Sequence, residues 1–145
     1  MNDIAIIRKY NNDFYNDYEF VNQISDWLKR FAESLAESLE KEPIRLLSKK
    51  EFRAATISAF SVLEAETNQI MNTLVNEYPF HKNTYTRIFD FLYSRKYIQL
   101  EEYTKLKEYY KIRNKLVHGD SKISKEDATN VVNLIMSILE KIKKN

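Results

Sequence analysis

One glycine and two prolines in 145 residues is the feature that most limits what this chain can fold into. Strand-rich folds reverse direction often, and tight reversals draw on glycine and proline for their special backbone angles. A chain with so few of either has few connections and long elements between them. The expected fold class is therefore all-α. With no cysteine, disulfides, zinc-thiolate sites and cysteine nucleophiles are excluded. No apolar run approaches the roughly 20 residues of a membrane span, and the N-terminus lacks the pattern of a signal peptide. A soluble cytoplasmic protein with no membrane partner is the expectation, and one domain over 1–145 is the simplest division for this length.

Apolar spacing divides the chain into helices. Residues 1–12 form an N-terminal extension, with Ile4, Ile6 and Ile7 able to dock on a core. Residues 14–39 carry Phe20, Val21, Ile24, Trp27, Leu28, Phe31, Leu35 and Leu39 at three- and four-residue intervals, which is one helical face. Glu42-Pro43 is expected to end this helix, because a residue before proline is pushed out of the helical region. Ser48-Lys49-Lys50-Glu51 reads as a capping box that opens a second helix, running to about residue 77 and closed by Tyr78-Pro79. A shorter helix is expected over 83–95 and a fourth over 100–117. A fifth is capped by Ser124, with Asp127 three residues on. The sum is an antiparallel bundle of four long helices and one short one.

The fourth helix holds the residues that can do chemistry. Its end reads Tyr109-Tyr110-Lys111-Ile112-Arg113-Asn114-Lys115-Leu116-Val117-His118-Gly119-Asp120. Arg113 has Tyr109 and Tyr110 one turn before it and Leu116 and Val117 one turn after, so it lies on or beside the packing face. A guanidinium there needs an anionic partner. Glu66 and Glu64 of the second helix are candidates, and so is a substrate phosphate, which suits the bidentate fork. Gly119 suits the left-handed position that stops a helix, which places His118 at the terminus. Asn114 lies four residues before His118, on the same face, where its amide can orient the imidazole. Arg113 and His118 stand roughly 140° apart around the axis, so one helix presents them splayed. Two copies meeting about a twofold axis would surround one phosphate with both pairs. From Lys105 to Lys125 seven cations face two acids, Glu108 and Asp120, which suits a phosphate-rich partner.

Arg113-Asn114-Lys115-Leu116-Val117-His118 resembles the Arg-Asn-x-x-x-His signature of the HEPN superfamily (higher eukaryotes and prokaryotes nucleotide-binding domains). The likeness in layout runs from about residue 14 to 142. It implies a metal-independent endoribonuclease, acting as a toxin or antiviral effector, with no cofactor. Two motifs would form one composite site in a homodimer. Arg113, His118 and Asn114 would be catalytic, and Lys115, Lys111, Tyr109 and Tyr110 would contact RNA. An antitoxin or nucleotidyltransferase partner is also implied. Some toxin members carry a modifiable tyrosine two residues after the histidine, whereas this chain has Asp120 there. The alternative within the same resemblance is a non-catalytic module that binds RNA or nucleotide, or assembles with protein.

Plainer roles stand beside these. His118 can be an ordinary helix-terminal residue and Arg113 a structural ion-pair partner. His81 reads as a loop residue, too isolated for a metal site. Glu64 and Glu66 stand on different faces of one helix and do not form an acid-base pair.

Overall fold

The computed structural model describes the backbone of residues 3–74, 84–119 and 121–144, with side chains described from residue 17 onward. Among these residues there are five helices and no strand: α1 (Asp3–Ser48), α2 (Phe52–Thr73), α3 (Tyr85–Ser94), α4 (Leu100–Val117) and α5 (Lys125–Lys144). The all-α expectation holds, as a helical bundle. The chain divides into two units, Met1–Leu39 and Glu40–Asn145.

The first unit is a single stretch of α1. A lone helix has nothing of its own to bury an apolar face against. Its stripe accordingly stands exposed, with Phe20, Val21 and Trp27 each 60% accessible. Trp27 and Phe31 stack on one another along it, with ring centroids 5.5 Å apart. The side chains of Ile4, Ile6 and Ile7 lie outside the described residues.

The second unit holds the core. Its central helix is α2, which packs on α5, α4 and α3, while α3 also packs on α4. Small residues let the helices approach: Ala55 and Ala59 of α2 and Ala128 of α5 are fully buried. Phe60, Leu63, Ile135 and Ile138 fill the space between them. Glu102 of α4 bonds Lys141 of α5, and its carboxylate also accepts from the Gln99 N–H at the start of α4, 2.8 Å away. The C-terminal part of α1 belongs here as well. Its Leu46 enters the core, and Glu40 pairs with Lys143.

The boundary between α1 and α2 corrects the sequence expectation twice. Helix α1 does not stop at Glu42-Pro43 but runs through Pro43 to Ser48. An internal proline costs about 3 kcal/mol through a lost hydrogen bond and a ring clash. Here Pro43 and Leu46 are buried, and packing of that last turn offsets the cost. Ser48 is the last residue of α1 and not the cap of α2. Its hydroxyl donates to the Arg45 carbonyl, 2.7 Å away. Glu51 is the residue that precedes the first turn of α2.

The helix ends also explain how a chain with one glycine turns at all. At the end of α1 the Glu51 N–H donates to Leu46 O and the Lys50 N–H to Leu47 O. At the end of α3 the Tyr97 N–H donates to Leu92 O and the Lys96 N–H to Tyr93 O. Both are Schellman closures, which need a left-handed residue at the turn and usually recruit glycine. Lysine takes that place in both, at φ 62° for Lys50 and Lys96. Helix α3 runs from Tyr85 to Ser94 with Thr84 as its cap, slightly shorter at both ends than the expected 83–95, and α4 keeps its expected bounds. The Asp127 N–H donates to Ser124 Oγ at 3.1 Å, so the expected cap of α5 is present. Tyr78, Pro79 and His81 lie outside the described residues.

Candidate active site

Arg113 sits on an aromatic floor. The carbon of its guanidinium lies 5.0 Å from the centroid of the Tyr85 ring, contributed by α3. Tyr85 in turn meets Tyr110 of α4 at a tilt of 36°, centroid to centroid 4.9 Å. Phe60 of α2 meets Tyr85 edge-on at 5.9 Å, and Phe89 meets Tyr110 edge-on at 5.9 Å. Three helices therefore build the platform, and α4 lays the arginine across it. A cation over a ring gains about 0.5–2 kcal/mol, more as water is excluded.

The hydrogen bonding of the arginine differs from the expectation. Its Nη1 donates to the side-chain oxygen of Asn114, 3.1 Å away, and its Nε is buried with no acceptor. Among the described residues no carboxylate forms an ion pair with Arg113. Glu66 instead borders a shallow groove with Ile142 and Lys143 of α5. It does lie on the packing side of α2, but that side is shared by three helices and Glu66 belongs to the sector facing α5. Glu64 approaches the platform through Tyr85. The Tyr85 hydroxyl is enclosed without a formed hydrogen bond. Burial first, and then the neighbouring Glu64 carboxylate, raise its pKa above the ordinary tyrosine value, with Arg113 opposing.

Tyr85→Phe removes that enclosed hydroxyl and keeps the ring beneath the guanidinium. An unmade hydrogen bond in the interior costs about 1–3 kcal/mol, so the variant should be more stable by about 1 kcal/mol in chemical denaturation. The folded chain holds the Tyr85 proton more tightly than the unfolded one. Stability from this group is therefore full below the unfolded value of 10.0 and falls as pH rises past it, a fall the variant should lose. A variant less stable than the parent by more than about 1 kcal/mol would mean that the hydroxyl is bonded in solution.

His118 caps α4. Its backbone N–H donates to Asn114 O and Leu116 O, and its side chain is exposed. Gly119 follows at φ 80°, the left-handed angle expected of it, and its N–H closes the helix on Leu116 O at 3.2 Å. Asn114 spends its side-chain oxygen on Arg113, so it positions the guanidinium where the sequence reading had it orienting the imidazole. Tyr109 and Tyr110 are half-buried against the core, while Lys111 and Lys115 are exposed. The basic run is partly committed elsewhere, since Lys105 pairs with Glu101 at 2.8 Å and Lys107 covers the Tyr103 ring. Asp120 lies outside the described residues. Among the described residues no cluster of three or more His, Asp or Glu is arranged to hold a metal ion, and no helix is long and apolar enough to cross a membrane.

Most of the chain, including this helix, is matched by a family model. The model described as Ribonuclease HepT-like matches residues 21–145. The chain belongs to this family. HepT-like ribonucleases are part of the HEPN superfamily, so the resemblance carried by Arg113 to His118 is correct. No curated protein and no solved structure matches the chain.

Two residues of this HepT-like chain escaped the sequence reading. Tyr85 supports Arg113 from another helix, and nothing in its spacing marks it as different from its core neighbours. Arg53, at the start of α2, points its Nη2 toward Gly119, 3.8 Å from where a Cβ would stand. Its signal in the sequence was the cluster Lys49, Lys50 and Arg53.

Proposed function

We propose that this HepT-like protein is an endoribonuclease that cuts RNA without a metal ion, in a composite site formed by two copies of the chain. The observation that supports this reading most is Arg113 itself. It is held by a ring and an amide and, among the described residues, by no carboxylate, which leaves its positive charge for a phosphate. Beside it in the chain, His118 is exposed at a helix end, and histidine is the side chain suited to move protons near neutral pH.

The reaction follows from those two groups. His118 takes the proton of a ribose 2'-hydroxyl. The 2'-oxygen bonds to the adjacent phosphorus, and the bond from phosphorus to the 5'-oxygen breaks. The second copy's His118 supplies a proton to that departing oxygen. Arg113 stabilises the charge that gathers on the phosphoryl oxygens. The products are a 2',3'-cyclic phosphate and a 5'-hydroxyl. Because one helix splays Arg113 and His118 by roughly 140°, the site is completed across a twofold axis.

In the cell the activity fits a toxin or antiviral effector of the cytoplasm, restrained by an antitoxin or nucleotidyltransferase partner. With Asp120 where a modifiable tyrosine would stand, such a partner acts here by binding.

The test is cleavage of mixed RNA by purified protein in excess chelator. Cyclic phosphate ends are expected, as is resistance of RNA carrying 2'-deoxyribose at the scissile nucleotide. Light scattering should give a dimer at tens of micromolar. Equal cleavage of the deoxy-substituted strand would overturn the mechanism. Binding of RNA without cleavage would favour the non-catalytic module.

A further inference from the structure

A groove opens immediately past His118. It lies between the first turn of α2 and the segment that joins α4 to α5, with a volume of about 490 Å³. Phe52 and Arg53 line one side, and Gly119, Ser121, Lys122 and Ile123 line the other. Arg53 and Lys122 are both exposed, and neither takes part in an ion pair among the described residues. Phe52 and Ile123 are half-buried and give the groove an apolar wall. Glycine at 119 matters twice, since it supplies the left-handed angle that ends α4 and brings bare backbone close to the Arg53 guanidinium.

The two segments that line the groove are net positive in sequence. Lys49, Lys50, Arg53, Lys122 and Lys125 outnumber Glu51 and Asp120 in these two segments. Paired cations beside an apolar wall match one chemistry well, a phosphate joined to a flat base. Single-stranded nucleic acid is bound in this way, by cations that follow the backbone and apolar surfaces under the bases. The volume falls in the class that encloses one small ligand group, not the broad surface a duplex presents.

We infer that this groove is a subsite for the nucleotide next to the scissile one in a single RNA strand. Arg53 and Lys122 hold its phosphate, and Phe52 and Ile123 lie under its base. The inference rests on the ribonuclease reading for its place in the reaction, but not for the binding itself. The groove starts one residue beyond the proton carrier, so a strand seated there would run directly into the site. Arg53 then fixes the register of the strand from a helix that carries no part of the motif.

The experiment measures binding of a single-stranded oligonucleotide with 2'-deoxyribose at the scissile position, by fluorescence anisotropy across a salt series. The parent is compared with Arg53→Gln, Lys122→Gln and the double variant, each checked by thermal melting. The double variant should bind about tenfold more weakly at low salt. Its log K against log salt should lose about 0.7 of slope for each phosphate contact removed. In cleavage, its preference for a long oligonucleotide over a dinucleotide should fall in step. A folded double variant with the parent's affinity and slope, in a parent that cleaves RNA, would overturn the subsite and leave the ribonuclease standing. A parent that cuts no RNA yet binds it through Arg53 and Lys122 would overturn the ribonuclease and leave the subsite. A parent that neither binds nor cuts would overturn both.

Discussion

His118→Ala should lower RNA cleavage by about 10²-fold or more, the usual scale for loss of a general acid-base group. The side chain is exposed at the end of α4, so the melting temperature should hold while the rate falls. That separation is what makes the variant informative. If the two His118 side chains of a dimer act as base and acid in one turnover, a single substitution removes both, and the loss can exceed the lower figure. Arg113 requires a different comparison. Arg113→Ala removes the transition-state cation but also uncovers Tyr85, so its rate is read only beside its melting curve. Arg113→Lys keeps the charge and loses the planar fork that lies over the ring and bonds Asn114. Its cleavage should fall well below the parent, with stability nearer to it. A His118→Ala protein with full activity would place the proton transfer elsewhere and end the mechanism proposed here.

The parts of the fold legible in the sequence were those that local rules decide. Helix α4 was bounded correctly because Gly119 stops it and its neighbours carry no competing signal. The Ser124 cap of α5 was readable for the same reason: a hydroxyl three residues before an unbonded N–H has one obvious use. Local rules misled where packing overrode them. Pro43 reads as a stop, yet Leu46 beyond it is drawn into the core and the helix continues. Ser48 and Glu51 have capping-box spacing, but the three-residue link that follows α1 closes on Lys50 in a left-handed conformation. That conformation is one no lysine announces.

The candidate site divides in the same way. Arg113, Asn114 and His118 belong to one helix, and their spacing was visible. Their supports come from elsewhere in the chain. Tyr85 under Arg113 and Arg53 against Gly119 arise from how α3 and α2 pack, which periodicity alone does not fix. The expected Glu66 partner failed for this reason too. The stripe shows that Glu66 lies on the inward side of α2, but not which of three neighbouring helices it faces. What replaces the carboxylate is a ring, and a ring holds a cation without neutralising it. An arginine paired to Glu66 would have had to give up that partner to take a phosphate. One lying on Tyr85 does not.

Phe60→Ala should be the most destabilising single change near the site, at about 3–5 kcal/mol. Phe60 is completely buried and touches Tyr85, Phe89 and Tyr110, the three rings that lie around and beneath Arg113. Truncation leaves a cavity that helices α2, α3 and α4 share, and close-packed helices collapse into such a space only in part. At about 2–4 °C per kcal/mol for a chain approaching 150 residues, the melting temperature should drop by roughly 6–20 °C. Phe60→Leu separates the two roles of the ring. It refills most of the volume and should cost far less stability than alanine does, but it removes the edge that braces Tyr85. Below the melting range of both proteins, the leucine variant should cleave RNA more slowly than the parent, because Tyr85 and the guanidinium above it are then less firmly placed. A leucine variant with full activity would show that Tyr85 holds Arg113 without help from α2. A change under about 1 kcal/mol for Phe60→Ala would show that the core relaxes around the site, and that the platform is less rigid than its ring geometry implies.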